Sequence, residues 1–303
     1  TRVLFQGDHK QERQAVEPGI PSLLDPSPSR IEKPANPRTT GRRLALARWI
    51  VGRGNPLTAR VLANRVWQNL FGRGLVDTPN DFGRMGGSPS HPALLDWLAV
   101  WFRDEAQGSL KALHRLIVTS STYRQISNPP MDPASPADAA ASVDQDNRLL
   151  WRFPPRRLDA EAVRDAMLAV SGRLDPSLGG PPIDPYRTAQ DAAKRLFSGP
   201  LDGAGRRSVY LKMTLMEPPK FLALFNQPIP KLTTGKRDVT NVPDQALALL
   251  NDPFVREMAK RWGAASAMAE GSVAQRMVGM FRSAFGREAT GDEIVRWTAG
   301  LEA

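Results

Sequence analysis

The chain has no cysteine in its 303 residues. That excludes disulfides, thiolate zinc sites, iron–sulfur clusters, covalently attached haem and cysteine nucleophiles from this polypeptide. It leaves the compartment open, because a cysteine-free chain is at home in oxidising or reducing surroundings. Histidine is scarce: His9, His91 and His114 are the three present, and none has the i, i+4 spacing of a helical zinc pair. No metal site is expected. No apolar run approaches the roughly 18 residues of a membrane-spanning helix. The Gly-rich stretches Gly83-Arg84-Met85-Gly86-Gly87 and Leu178-Gly179-Gly180-Pro181-Pro182 fit neither a dinucleotide-binding fingerprint nor a phosphate-binding loop, and there is no serine-hydrolase elbow. There is no repeat of fixed period.

What is present is arginine. The 41 basic residues outnumber 31 acidic ones for a net charge of +10, and only nine of them are lysine, leaving 32 arginines. The guanidinium fork suits bidentate contacts to carboxylate, sulfate or phosphate, so an acidic glycan, nucleic acid or anionic lipid fits the bias. A GC-rich genome with ordinary surface ion pairs explains it as well. Hydrophobic residues at 41% and charged residues at 24% are ordinary globular values.

Periodicity predicts a mainly α protein of two helical lobes, with irregular Gly/Pro-rich connections and at most a small β element near 207–213, where Val209, Tyr210 and Leu211 lie. Residues 1–38, punctuated by six prolines, read as an extended N-terminal arm. Residues 39–127 form the first lobe, 128–150 a linker or surface loop, and 151–303 a second lobe that stops inside a helical pattern, like an excised piece. The best-marked helix has Asn55 as its cap, Pro56 in the first turn and Gly72 past its end. Ala59, Leu62, Ala63, Val66, Trp67 and Leu70 give it one apolar stripe. Ser109, Asp159 and Ser272 are expected caps, and Thr290 with Glu293 makes a capping box before Ile294, Trp297 and Leu301. Asp159 is expected to open a helix that buries Val163, Met167, Val170 and Leu174, with Leu158 stapled to Val163. Trp49, Trp67, Trp97 and Trp101 sit at apolar helical spacing and are expected in the core; a stacking platform for sugars or bases requires one of them exposed.

His91, after a Gly-rich connection and before a helix, and Asp81 at the start of that connection are candidate catalytic groups, with Glu161 as a third. A helix-opening hydrogen bond is the plainer role for His91. Asn64, Arg124, Arg157 and Arg164 are candidate ligand contacts. Glu161 and Asp165 are like charges at i, i+4 and need bridging arginines. Either a structural salt-bridge network or a tuned polar pocket follows. Asp144-Gln145-Asp146-Asn147 begins like a calcium loop but lacks its glycine and bidentate glutamate, so turn chemistry is expected.

Several of these segments resemble the planctomycete-specific domain catalogued as domain of unknown function 1553: Asn55-Pro56-Leu57-Thr58-Ala59-Arg60, Asn64-Arg65-Val66-Trp67-Gln68, Pro89-Ser90-His91-Pro92, Asp146-Asn147-Arg148, Arg157-Leu158-Asp159-Ala160-Glu161 with Arg164-Asp165, and Thr240-Asn241-Val242-Pro243-Asp244-Gln245. The order is preserved along nearly the whole chain. The resemblance implies a secreted or periplasmic setting and a parent chain with cytochrome c-like domains upstream, this segment being its cofactor-free partner. It carries no catalytic residues. Three readings follow: a module that binds an anionic polysaccharide, an enzyme (hydrolase or haem-coupled oxidoreductase) with a polar Arg/Glu/His cleft, or a scaffold for its parent chain. Nucleic acid is disfavoured, since no recognised DNA or RNA motif accompanies the charge.

Overall fold

The computed structural model describes residues 2–24, 31–32, 34–35, 38–130, 135–188, 197–215 and 217–302, the last two by backbone alone. The protein is mainly helical, with two compact units, residues 1–156 and 157–303. The division falls between two arginines that are each tied to their own unit. Arg156 donates to the carbonyl of Asn69, and Arg157 to the carbonyl of Thr240 and the amide oxygen of Gln245.

Unit 1 opens with an antiparallel hairpin, β1 (Arg2–Phe5) and β2 (Asp8–Ala15). Its two-residue turn holds Gln6 at φ 47° and Gly7 at φ 81°, the left-handed pair that tight hairpins favour. The small β element is therefore at the N-terminus, inside the expected arm, and not near 207–213. There, Ser208–Tyr210 is a short 3-10 turn, flanked by single parallel bridges Asp175 to Arg206 and Ile183 to Leu211. Ser208 gives its N–H to the Asp165 carboxylate at 2.7 Å, so a ladder partner is not needed.

Helices α1 (Arg42–Val51), α2 (Thr58–Phe71), α3 (Pro92–Asp104) and α4 (Leu110–Val118) follow. The N-cap position of α2 is Leu57, two residues later than expected, but Asn55 still closes the turn that leads into the helix, its side-chain oxygen accepting from the N–H groups of Leu57 and Thr58 at 2.9 and 3.2 Å. Ala63, Val66, Trp67 and Phe71 of α2 pack on Leu95, Leu98 and Phe102 of α3 and on Leu113 and Ile117 of α4. Helix α5 (Pro136–Val143), capped by Ser135, lies within the expected linker, and a bonded turn at 144–152 runs two residues past its end.

Unit 2 contains α6 (Ala160–Val170), α7 (Lys220–Leu224), α8 (Pro243–Asn251), α9 (Pro253–Ala267), α10 (Val273–Phe285) and α11 (Gly291–Glu302). The buried face of α6 is Ala160, Arg164 and Leu168, one position away from the expected stripe; Val163, Met167 and Val170 are half-buried. The difference arises because a buried arginine is invisible to apolar periodicity. The Leu158 staple is absent, with Leu158 60% exposed, and Asp159 holds the N-cap position of α6 with no side-chain bond there. Ser272 caps α10 as expected. Thr290 and Glu293 exchange their reciprocal bonds at the start of α11, where Ile294 is half-buried, Trp297 is 56% exposed and the Leu301 side chain lies outside the described residues.

The two-pronged bond from Arg287 and the N–H of Thr290 hold the Glu293 carboxyl down at about 2, against an ordinary 4.5. A carboxyl depressed by folding stabilises fully above its unfolded value, and that contribution is lost as pH falls through its folded value. The start of α11 should therefore loosen as pH falls from 4.5 towards about 2. Carboxyl-carbon NMR of Glu293 with amide exchange in α11 reads this directly, and an ordinary titration midpoint for Glu293 would refute it.

Candidate functional site

In unit 1 the candidate residues lie around the connection from α2 to α3. Asn64 is fully buried, and its amide donates to the Val76 carbonyl at 3.0 Å and accepts from the Val76 N–H at 2.8 Å. A Cβ on Gly74 would lie 2.5 Å from the Val76 carbonyl oxygen and 2.8 Å from that amide, so glycine is required there. The Leu75 carbonyl in turn accepts from Ser90 N–H at 2.8 Å, and Ser90 Oγ lies 3.0 Å from His91 Nδ1. Asn64 thus supports Ser90 and His91 from beneath, its buried amide bonded to the Val76 backbone. His91 sits half-buried at the N-cap of α3. Asp81 is exposed, and its carboxylate accepts from Gly83 N–H at 2.8 Å, a turn-forming role. Arg124 is exposed beyond α4. Ser88 and Ser90, with Asp146 and Arg148, rim a crevice of about 90 Å³ over Trp67 and Phe71; neither His91 nor Asp81 lines it.

The feature of unit 1 most open to a ligand is a pair of tryptophans. Trp97, expected in the core, is 50% exposed. It stacks on Trp101 with ring centroids 6.4 Å apart and planes 27° from parallel. Trp97, Trp101 and Asp104 fall at i, i+4 and i+7, one helical face. At its end Asp104 is shared by Arg103 at 2.6 Å and Arg53 at 3.1 Å, and the Arg53 side chain is 78% exposed. Beside Trp97, Asp96 pairs with Arg60 at 2.6 Å.

In unit 2, α6 carries the charges. Glu161 receives both prongs of Arg237 at 2.6 and 3.0 Å. Burial pushes its carboxyl up, but the Arg237 bonds and backbone N–H outweigh this and hold it below the ordinary carboxylate range. Asp165 accepts from the N–H and Oγ of Ser208, both at 2.7 Å, and pairs with Arg207. The repulsion expected between Glu161 and Asp165 is relieved by a separate arginine on each. Arg164, 5% exposed, donates to the carbonyls of Arg206 and Asp202 and to Ser208 Oγ. Arg157 donates to Gln245 Oε1 at 2.7 Å and lies over the Phe225 ring. Gln245, 3% exposed, gives its amide N–H to the Leu224 carbonyl at 2.9 Å. The sequence offered no signal for Arg237, which lies 76 positions from Glu161. Asp81 and His91 belong to unit 1, and Glu161, Arg157 and Arg164 to unit 2.

Fold and sites together define a two-unit helical protein braced by arginine networks, with an exposed Trp97 stacked on a half-buried Trp101. Residues 42–300 match the family model described as PSD1, protein of unknown function (DUF1553), and the chain belongs to that family. No curated protein and no solved structure matches it.

The family motifs around Arg157 and Gln245 meet in one network, so Gln245→Leu should leave the Leu224 carbonyl without its partner, while the exposed Arg157 keeps the Thr240 carbonyl and turns its other donor to water. At about 1–3 kcal/mol for one buried group left unpaired, stability should fall by about 1–3 kcal/mol. Urea denaturation measures it, and a loss under about 1 kcal/mol would show the network to be dispensable.

Proposed function

We propose that this chain is a binding module for an anionic polysaccharide, working in the periplasm or outside the cell as part of a larger cytochrome c-linked protein. The observation that carries the binding reading is the exposed Trp97, stacked on a half-buried Trp101, with Arg53 and Arg103 at the end of that helix face. An indole face offers a broad apolar surface to the C–H face of a sugar ring, and the flanking guanidinium fork takes a uronate or sulfate group. Its setting and its haem-bearing neighbours rest on the family resemblance.

Binding is favoured over proton-transfer catalysis by the state of the carboxylates. Glu161, Asp175, Asp202 and Glu293 are all drawn below their ordinary range by hydrogen bonds and arginines. A general acid at neutral pH needs the opposite shift. A scaffold role has one observation of its own: Gln245 is the buried residue of α8, while Leu247 and Leu250 are 55% and 71% exposed.

Titration with polygalacturonate, a sulfated galactan and a neutral glucan, followed by tryptophan fluorescence at several salt concentrations, tests the proposal. The acidic polymers should bind and the neutral one not, with affinity falling as salt screens the contact. Trp97→Ala should weaken binding roughly tenfold or more, about 1.4 kcal/mol, and Arg53→Ala should flatten the salt dependence. Equal affinity for the neutral glucan, or unchanged binding by the Trp97 variant, would overturn it.

A further inference from the structure

Independently of the tryptophan face, unit 2 has a partly open cavity of about 120 Å³ with Arg164 in its wall. The guanidinium there is an under-compensated buried cation. It is 5% exposed, and its three hydrogen bonds go to neutral oxygens, the Asp202 carbonyl at 2.7 Å, the Arg206 carbonyl at 3.0 Å and Ser208 Oγ at 3.2 Å. The carboxylate of Asp165 comes no closer than 3.7 Å and is occupied by Ser208 and Arg207. That of Asp202 is occupied by Arg173 at 2.5 Å and by Ala204 N–H at 3.0 Å. Burial draws the Arg164 pKa down, only partly offset by those two acids. Of five guanidinium N–H groups, two have no acceptor among the described residues.

The surroundings are shaped for a ligand with an apolar body. Phe254 lies under the guanidinium, 5.3 Å from ring centroid to Cζ, and Phe221 meets Phe254 edge-on at 5.7 Å. Both line the cavity with Leu222. Gly203, at φ 60°, keeps the guanidinium clear, because a Cβ there would stand 2.6 Å from Nη2. Among the described residues the rim carries Lys220 and Asp252; a second negative charge on the ligand would meet Asp252. The volume is close to that of an engineered cavity of about 150 Å³ that takes up benzene.

We propose that this cavity binds a small monocarboxylate with a compact apolar body of about six carbons, its carboxylate on Arg164 and its body against the wall that Phe221 and Phe254 form. A bidentate carboxylate would use the remaining guanidinium donors and neutralise the buried charge.

Titration of the full chain with benzoate, benzamide and acetate, followed by amide NMR, tests this. Benzoate should bind at least tenfold tighter than either, because benzamide lacks the charge and acetate the body, and its shifts should centre on Gly203, Phe221 and Phe254 while the Trp97 indole stays still. Phe221→Trp, which fills the cavity and leaves Arg164 in place, should reduce benzoate affinity by tenfold or more. The comparison of the three probes on the unaltered chain stands even if that variant fails to fold. Equal binding of benzoate and benzamide, shifts mapping elsewhere, or no saturation by about 20 mM benzoate, a level that detects any affinity down to the millimolar range, would overturn the assignment. Loss of glycan binding at Trp97 would leave it untouched.

Discussion

A guanidinium held away from water at the centre of α6 sets the terms for unit 2. Taking a charge out of water is costly unless every donor finds an acceptor, so the chain from Asp202 to Ser208 folds back to deliver two carbonyls and a hydroxyl to Arg164. That requirement explains the irregular backbone at this point: Ala204 adopts φ 53° and Gly203 φ 60°, conformations that leave the carbonyls of Asp202 and Arg206 turned inward. One helical turn to either side of Arg164, Ala160 and Leu168 each enter a separate apolar cluster, one with Leu211, Leu222 and Phe225 and the other with Phe254 and Met258. Unit 2 therefore has small greasy islands joined through a polar hub.

Unit 1 solves the same problem with the polarity reversed. Its core is a single apolar cluster built on α2, α3 and α4, with a chain of rings from Trp67 through Phe71 and Tyr123 to Phe153. The polar insertion is neutral and small. Asn64 meets the backbone of one residue, Val76, with both halves of its amide, accepting from its N–H and donating to its carbonyl, and needs no charge compensation. A buried amide specifies a loop cheaply, whereas a buried guanidinium has to recruit one.

What the sequence revealed follows the range of each interaction. Caps were legible because they close within three residues: Ser109, Ser272 and the Thr290–Glu293 box all hold, and Asn55 closes the turn that leads into α2. The helical class and most of the core stripe of α2 were legible for the same reason, since a period of 3.6 shows within a dozen residues, although Leu62 of that stripe is exposed and Phe71 is buried instead; the family was legible from its short motifs. The pairs that build the polar networks are not local. Arg157 reaches Gln245, and Arg237 reaches Glu161, across 88 and 76 positions, and no local pattern announces either. The N-terminal hairpin was missed because its turn is Gln6-Gly7 rather than the usual Asn-Gly, and because prolines dominate the rest of that stretch. Trp97 failed for another reason. Leu94, Leu95, Trp97, Leu98, Val100, Trp101 and Phe102 surround α3 almost completely, and a helix apolar on every side does not declare which side faces in.

The arginine surplus is best understood locally. Glu161, Asp165, Asp175, Asp202 and Glu293 each hold an arginine of their own unit, so much of the basic charge is consumed in architecture and the net +10 says little about a partner. What matters for recognition is where cations outnumber their acids. Asp104 is such a place, one carboxylate for Arg53 and Arg103, at the end of an exposed aromatic face. Arg164 is another, but buried, where Coulomb interactions are less screened and the geometry admits only a small ligand. The first surplus is wet and extended, suited to a polymer whose affinity bends with salt. The second is narrow and lined largely by apolar side chains, and would respond to the charge and shape of a single small molecule.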